Sequence, residues 1–353
     1  MVLGCTASEL RPGGCTAPNL HEAMPVTRAK TACKLRPAVS GDEQKRAAAK
    51  AWQRYAFAAI PAAGLLELGA HVVQTHSVAP DADWKAAREF VATHAAPEDL
   101  VAFAPRWADP VGRQEFGPQI ATVEREARAD TTRFARAYEV SIRGAHAPDL
   151  DGWHREDAAR FGGVTVTTLT NPSPVHVIDD LVSHVDPQRM RVSRVDGGHE
   201  SECTFAHGPP LAGGLGSGPA MPPDRFVCPG GSNVGTSVVA DLDYYPHRCI
   251  YTPGVGGDST LRLRFLDVVL GSSLHGHHAL YVEAERMKTG APVTITFRIG
   301  DTTLGTIFHR DGDGWRAFEL DTSAFAGQRA EVVADIVSPG GQRRAYCFEA
   351  NTQ

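Results

Sequence analysis

The sequence predicts an α+β multidomain protein, a small α/β domain followed by a jelly-roll-like antiparallel β-sandwich. Three observations lead there. In the last third of the chain apolar residues alternate with polar ones: Leu261, Leu263 and Phe265 with Arg262 and Arg264, then Val293, Ile295, Phe297 and Ile299 with Thr294, Thr296 and Arg298. A period of two marks strands with one buried face and one wet face. The 35 Gly and 24 Pro supply the turns such strands need. Between residues 80 and 170, by contrast, helical spacing alternates with short β runs, the pattern of an α/β unit.

At 353 residues the chain has room for two domains, each large enough to bury a core. With 42% hydrophobic and 22% charged residues it reads as an ordinary globular protein. A net charge of −6 with scattered Lys and Arg excludes the clustered basic face that nucleic acid requires.

Residues 1–50 read as a disordered or mis-assigned leader containing Cys5, Cys15 and Cys33. Val2-Leu3-Gly4-Cys5 has the form of a lipoprotein cleavage box, but no apolar stretch precedes it. Residues 51–78 are a candidate membrane anchor or signal helix, with residues 56–73 the most apolar window. Lys45, Arg46, Lys50 and Arg54 precede that window and no Lys or Arg follows until Lys85, which puts the remainder of the chain outside. Pro61, Glu67 and His71 weaken it, and a buried amphipathic helix is the third reading.

The small α/β domain spans 79–172. Trp84, Ala87, Phe90 and Val91 share one side of a helix over Asp81–Ala95, with Asp83 as its cap, and Leu100–Ala104 is a buried strand. Helical spacing returns over Ile120–Ala137, and strands follow at Tyr138–Ile142 and Val164–Leu169, with at least one parallel pair. The loop after the first strand carries Arg106, Trp107, Asp109 and Arg113, beyond a carboxyl end where open α/β sheets place ligands. Arginine forks and an indole suit a phosphate or a sugar there; the plain alternative is a packed loop with Trp107 at the domain interface and Asp109 paired to an arginine. His146, His154 and Asp157 read as surface residues.

Residues 173–232 read as a Gly/Pro-rich linker, without the Lys-Ser/Thr of a phosphate loop. The sandwich occupies 233–353. Strands are predicted at Thr236–Asp241, Arg248–Tyr251, Thr260–Leu270, Ala279–Arg286, Val293–Ile299, Leu304–His309, Arg316–Leu320, Ala330–Val337 and Ala345–Glu349. Cys203, Cys228, Cys249 and Cys347 form an even set that suits two disulfides and an oxidising compartment. Of the three connectivities, Cys203–Cys228 as a loop staple and Cys249–Cys347 between strands are preferred.

Three places in the sandwich carry chemistry. His275 and His277 fall on one strand face and can share a metal, although Leu274–His278 reads more simply as a hairpin loop. Asp311-Gly312-Asp313-Gly314 resembles the start of a calcium loop; a β-hairpin turn is preferred and a structural calcium on Asp311 and Asp313 comes second. No other cofactor is expected. Tyr244, Tyr245, Tyr251, Tyr281 and Trp315 are the aromatic platforms for sugar stacking, with core filling the competing role of Trp315.

Two resemblances add to this. The order DW-x-AA-x-x-FV, PEDLVAFAP, ARAYEVSIRG and FGGVTVTTL, within roughly Asp81 to Pro172, resembles the extracytoplasmic α/β domain of bacterial dolichyl-phosphate-mannose mannosyltransferase-type glycosyltransferases. Their multi-helix membrane body and acidic catalytic loop are absent from this sequence, so the resemblance implies topology and not transferase activity. The stretch GDGWRAFELDTSAFAGQRAEVVADI, Gly312 to Ile336, is similar in outline to carbohydrate-binding-module sandwiches.

The expected function is a non-catalytic, exported or membrane-anchored cell-envelope protein whose sandwich binds glycan, with the membrane engaged through residues 56–73. The alternatives are a glycan-processing enzyme with its site at the domain junction, using carboxylates among Asp109, Glu283, Glu285 and Asp313, and a protein-interaction or assembly module with an envelope protein as partner.

Overall fold

A computed structural model describes residues 41–76, 78–117, 130–210, 220–221, 223–288, 290–339 and 344–353. The leader cysteines, the first ten residues of the helix expected over Ile120–Ala137 and the glycine run 213–218 lie outside them. The rest of that expected helix is not helical: residues 130–135 form a turn, and Arg136 and Ala137 already belong to a strand, where backbone pairing to the parallel neighbour wins over helical spacing. The chain divides into two compact units, Met1–Ala70 and His71–Gln353.

Helix α1, Gly41–His76, is 36 residues long and contains Pro61. Residues 41–50, expected to be part of a disordered leader, are therefore helical. Within it Phe57–Thr75 is long and apolar enough to cross a membrane by length and composition, with a mean hydropathy of 1.3. Phe57, Ile60, Leu66 and Val73 are exposed.

The α/β part begins with α2, Asp81–His94, one residue shorter than expected. Its N-cap is Pro80; Asp83, the expected cap, instead accepts the backbone N–H of Gly163 at 2.7 Å. Strands β1 (Leu100–Ala104), β2 (Arg136–Ile142), β3 (His154–Phe161) and β4 (Val164–Thr170) form a sheet in the order β1-β2-β4-β3, with β1 and β2 parallel. Trp84, Ala87 and Val91 of α2 pack on Val101, Phe103, Val140 and Val166. Short helix α3, Asp109–Phe116, follows β1 and adds Phe116 to that layer. Strand β3 was not foreseen, because it is an edge with few buried side chains and so has little alternation to read.

Two antiparallel sheets build the sandwich. The segment read as a linker supplies five of its strands: β5 (Asp179–Asp180), β6 (Met190–Asp196), β7 (His199–Glu202), β8 (Thr204–His207) and β9 (Asp224–Val227). Of these, β5, β7 and β8 are short and largely polar, whereas β6 and β9 also bury Met190, Val192 and Phe226 in the core. Then come β10 (Asn233–Ala240), β11 (Pro246–Thr252), β12 (Thr260–Val269) and β13 (Ser273–Leu280). Helix α4 (Val282–Met287) precedes β14 (Val293–Ile299), β15 (Thr302–His309), β16 (Arg316–Asp321), β17 (Arg329–Val337) and β18 (Tyr346–Thr352).

The larger sheet runs β16-β13-β18-β11-β10-β9-β8, with β5 also paired to β18; the smaller runs β15-β14-β17-β12-β6-β7. Leu261, Leu263, Phe265, Ile295, Phe297 and Ile336 of the smaller sheet meet Ile250, Leu274, Tyr346, Phe348 and Ala350 of the larger. This is the core that the alternation predicts.

Three expectations are corrected. Leu274–His278 is not a hairpin loop but the middle of β13, where Leu274, Gly276 and His278 face the core. Gly276 leaves room for its neighbours: a Cβ there would lie 2.2 Å from the Glu349 carbonyl oxygen and 2.7 Å from the Phe318 ring. Ala279–Arg286 is not one strand, since after Leu280 the chain turns into α4 and buries Glu285. Asp311–Gly314 is not a hairpin turn, because β15 and β16, on either side of it, belong to different sheets.

Both preferred disulfides are present. Cys203 sits between β7 of the smaller sheet and β8 of the larger, so Cys203–Cys228 staples the point where the chain crosses between sheets. Cys249–Cys347 joins the neighbouring strands β11 and β18 on the outer face of the larger sheet. These bonds span 25 and 98 residues. Loop-closure entropy then assigns about 3.5 kcal/mol to the first and about 4.7 kcal/mol to the second. Guanidinium unfolding of the two double Cys→Ala variants should show the larger loss for Cys249/Cys347. The reverse order would mean that packing at the sheet crossing outweighs loop closure.

Candidate functional site

The outer face of the larger sheet is set by strand alternation. On β13, residues on the opposite side from the core are His275 and His277; on β18 they are Cys347, Glu349 and Asn351; on β11 they are His247, Cys249 and Tyr251. Register places His277 opposite both Glu349 on β18 and Ala317 on β16. Glu349 and Asn351 are buried, so this face is covered and not a solvated surface.

Between this face and the loops of the α/β part lies a cleft of about 580 Å³, within the range of small-molecule sites. Arg106, Asp130, Thr131, Thr132 and Asp149 line it from the α/β side. Asp241, Leu242, Asp243, Tyr245, His247, His277, Asp313, Gly314, Trp315 and Ala317 line it from the sandwich.

Trp315 is the centrepiece. His247 stacks on it with ring centroids 4.0 Å apart and planes 4° from parallel; His277 stacks at 5.6 Å and 5°. Strands β11 and β13 lie two strand spacings apart, about 9.5 Å, with β18 between them. The two imidazoles therefore take opposite faces of the indole. Trp315 also packs against the Cys249–Cys347 cluster together with Tyr251 and Tyr281. Of its two expected roles the packing supports space filling over the disulfide; with both faces of the indole covered, no open face is left as a sugar-stacking platform.

Each imidazole is held in turn. His247 Nε2 lies 2.9 Å from Asp241, and His277 Nδ1 lies 2.7 Å from Glu349. Burial alone would raise the Asp241 carboxyl, but His247 and the backbone N–H groups of Tyr245 and Asp243 outweigh it and hold it below its ordinary value. Burial likewise opposes the shift of Asp313, where the Arg310 amide and the charges of His309 and Arg316 prevail and lower it. Both are anionic at neutral pH.

The arginine loop divides. Arg106 reaches the cleft, where it donates to Asp149 at 2.7 Å, lies 3.7 Å from Asp243 and sits 5.9 Å over the Tyr245 ring. Burial would lower its pKa, yet Asp149 above all raises it. Trp107 points elsewhere, 60% exposed, with the Arg143 guanidinium 5.5 Å over its ring. Asp109 is buried in α3 and paired to Arg113 at 2.7 Å, so neither lines the cleft. Arg106 and Arg113 each already have a carboxylate, so this loop presents no pair of free arginines to a phosphate.

Other expected site residues also have partners. Tyr244 accepts from Arg286 at 2.6 Å, with the guanidinium 4.4 Å over its ring. Asp311 pairs with Arg344 and accepts the Gly290 N–H at 2.8 Å. Asp313 accepts the Arg310 N–H at 2.9 Å and pairs with Arg316 at 3.2 Å. Asp311 and Asp313 do not join His275 and His277 in one cluster. Among the described residues, the one group of three His, Cys, Asp or Glu placed to share an ion is Asp130, His275 and His277. Asp130 and Asp241 were not foreseen, since nothing in their local sequence distinguishes them from other loop aspartates.

On the core side of β13, His278 meets His309 Nδ1 to Nδ1 at 3.1 Å, and His309 in turn bonds Glu285. Glu285 also accepts the backbone N–H groups of Leu280 and Gly312, so this carboxylate braces the sheet crossing and does not face the cleft. Burial, reinforced by the charge of His309, pushes His278 down to about 3, against roughly 6.5 in an unfolded chain.

No family profile matches the chain, and no curated protein matches it. Among solved structures, the CBM51-2 and INT domains of Clostridium perfringens ZmpB, in complex with GlcNAc, share 10% identity at a TM-score of 0.26, covering 56% of this chain and 45% of that one. A cyclase from Fischerella sp. TAU shares 14% identity at 0.24, covering 35% and 75%. The K2 cleaved adhesin domain of Lys-gingipain shares 12% at 0.22, covering 30% and 72%. The chain thus spans less than half of the first of these. All three scores lie well under 0.5, so the functional reading rests on the site alone.

Because His278 takes up its proton far more readily when unfolded, its contribution to stability is in place above about pH 6.5 and is lost as pH falls toward 3. Urea unfolding of the wild type and of His278→Gln should diverge by about 1–2 kcal/mol between pH 6.5 and 5, the wild type losing more. Parallel curves would contradict the assignment.

Proposed function

We propose that this chain is a non-catalytic, exported or membrane-anchored cell-envelope protein that binds a neutral glycan in the cleft over the outer face of its larger sheet. The observation that carries this reading is the charge of the walls. Among the described residues, five aspartates, at 130, 149, 241, 243 and 313, surround one arginine that is already paired. Such a lining repels phosphate and other oxyanions. It suits a ligand rich in hydroxyl groups, whose O–H donors the carboxylates accept in charge-assisted bonds.

The Tyr245 ring and the edge of Trp315 give apolar surface for the C–H faces of a sugar. Locating the site on the stapled sheet also supports a pre-organised binder, whose walls need little ordering when the ligand arrives. Two disulfides favour an oxidising compartment, and Phe57–Thr75 supplies a segment of membrane-spanning length for an anchor or signal.

The test is binding of the full-length oxidised protein to a panel of bacterial envelope polysaccharides. At least one neutral polysaccharide should bind. Asp243→Asn, at a side chain 72% exposed and therefore harmless to folding, should weaken that binding about tenfold, equivalent to about 1.4 kcal/mol. Tyr245→Ala should do the same. Absence of binding across the panel, or binding that ignores both substitutions, overturns the reading.

A further inference from the structure

We infer that Asp130 and His277 of the cleft wall form a zinc site together with the neighbouring His275. This goes beyond glycan binding and stands on separate observations. One ligand atom from each residue lies within 4.8 Å of those of the other two. His275 Nδ1 is 3.9 Å from Asp130 Oδ2. Two ligands bonded to one tetrahedral zinc at about 2.0–2.1 Å stand about 3.4 Å apart, so an inward shift of roughly half an ångström brings this pair to coordination distance.

The surroundings of each ligand favour a metal over a plain hydrogen-bond network. His275 Nδ1 is buried and has no hydrogen-bond partner. An orphaned buried ring nitrogen costs free energy unless something occupies it. His277 uses Nδ1 on buried Glu349 at 2.7 Å, which leaves Nε2 as the metal-facing nitrogen. A carboxylate behind a ligating histidine fixes its tautomer and raises its basicity. Stacking on Trp315 fixes the plane of the same ring. Asp130 is oriented by Thr132, whose backbone N–H and hydroxyl donate to it at 2.8 and 2.7 Å.

The donor set names the ion. Two imidazole nitrogens and one carboxylate match zinc and its neighbours, whereas calcium and magnesium take oxygen ligands. With three protein ligands, the fourth position belongs to water or to a group of the bound ligand. Strand β13 makes this possible, since its period of two brings His275 and His277 to one side with Gly276 between them.

The experiment is calorimetric titration of zinc sulfate into the full-length chain, stripped by chelator and with its free thiols alkylated. We expect one equivalent bound. His275→Ala and His277→Ala should each weaken it at least 50-fold, and Glu349→Gln about tenfold, while His154→Ala on exposed strand β3 should leave it unchanged. If a histidine variant fails to fold, Asp130→Asn should weaken binding, and the zinc-induced rise in the wild-type melting temperature should vanish in it. No saturable binding, or binding indifferent to His275, His277 and Asp130, overturns the proposal. Polysaccharide binding by the same stripped sample decides the glycan reading separately.

Discussion

Strand β18 is covered on both of its faces, and the rest of the structure depends on that constraint. All seven of its residues, Tyr346–Thr352, are buried. Tyr346, Phe348 and Ala350 enter the core between the two sheets, while Cys347, Glu349 and Asn351 carry the outer face. A strand in that position must satisfy two layers at once. Its inner side chains hold the sandwich together by apolar burial. Its outer ones are polar and covalent: a disulfide to β11 and a carboxylate to β13. Removing one partner of that buried carboxylate–imidazole pair would leave the other unsatisfied, a larger penalty than the pair's own net contribution.

The same alternation separates stability from function. On β13, His278 faces inward into a closed network with His309 and Glu285, while His275 and His277 lie on the outer face, His277 lining the cleft. Three imidazoles within four residues therefore do two unrelated things. The inward one is kept neutral by burial; the outward pair keeps a ring nitrogen for a ligand. Trp315 ties the outward face together by lying between His247 and His277 above the disulfide, which makes the cleft wall a stacked, cross-linked surface.

Much of the fold could be read from residue order. Strands β12, β14 and β17 announce themselves because one face is wholly apolar, as does α2, while β1 does so as an apolar run buried on both faces. Strands β3, β7 and β8 escaped, since edge and near-edge strands owe their form to backbone pairing and carry polar side chains that resemble a loop. Strands β6 and β9 escaped because their few core residues, Met190, Val192 and Phe226, are interrupted by charged ones. Strand β13 escaped because Gly276 and three histidines hide its period. Glu285 broke the pattern of a strand that Leu280 and Val282 suggested, because a buried carboxylate capping backbone amides demands a turn. Of the cleft, Arg106, Trp315, His277 and Asp313 were legible by residue type. Asp130, Asp149, Asp241 and His247 were not, because they converge only when the α/β loops meet the outer face of the sheet.

Hydroxyl-radical footprinting of the full-length, oxidised chain with and without its tightest-binding polysaccharide tests the central claim most directly, because it reports where a ligand sits on the protein. The account predicts protection of Tyr245, His247 and Trp315, with exposed Trp107 reacting equally in both samples. Protection at Trp107, or an unchanged pattern at Tyr245 and Trp315 while polysaccharide is bound, would contradict it.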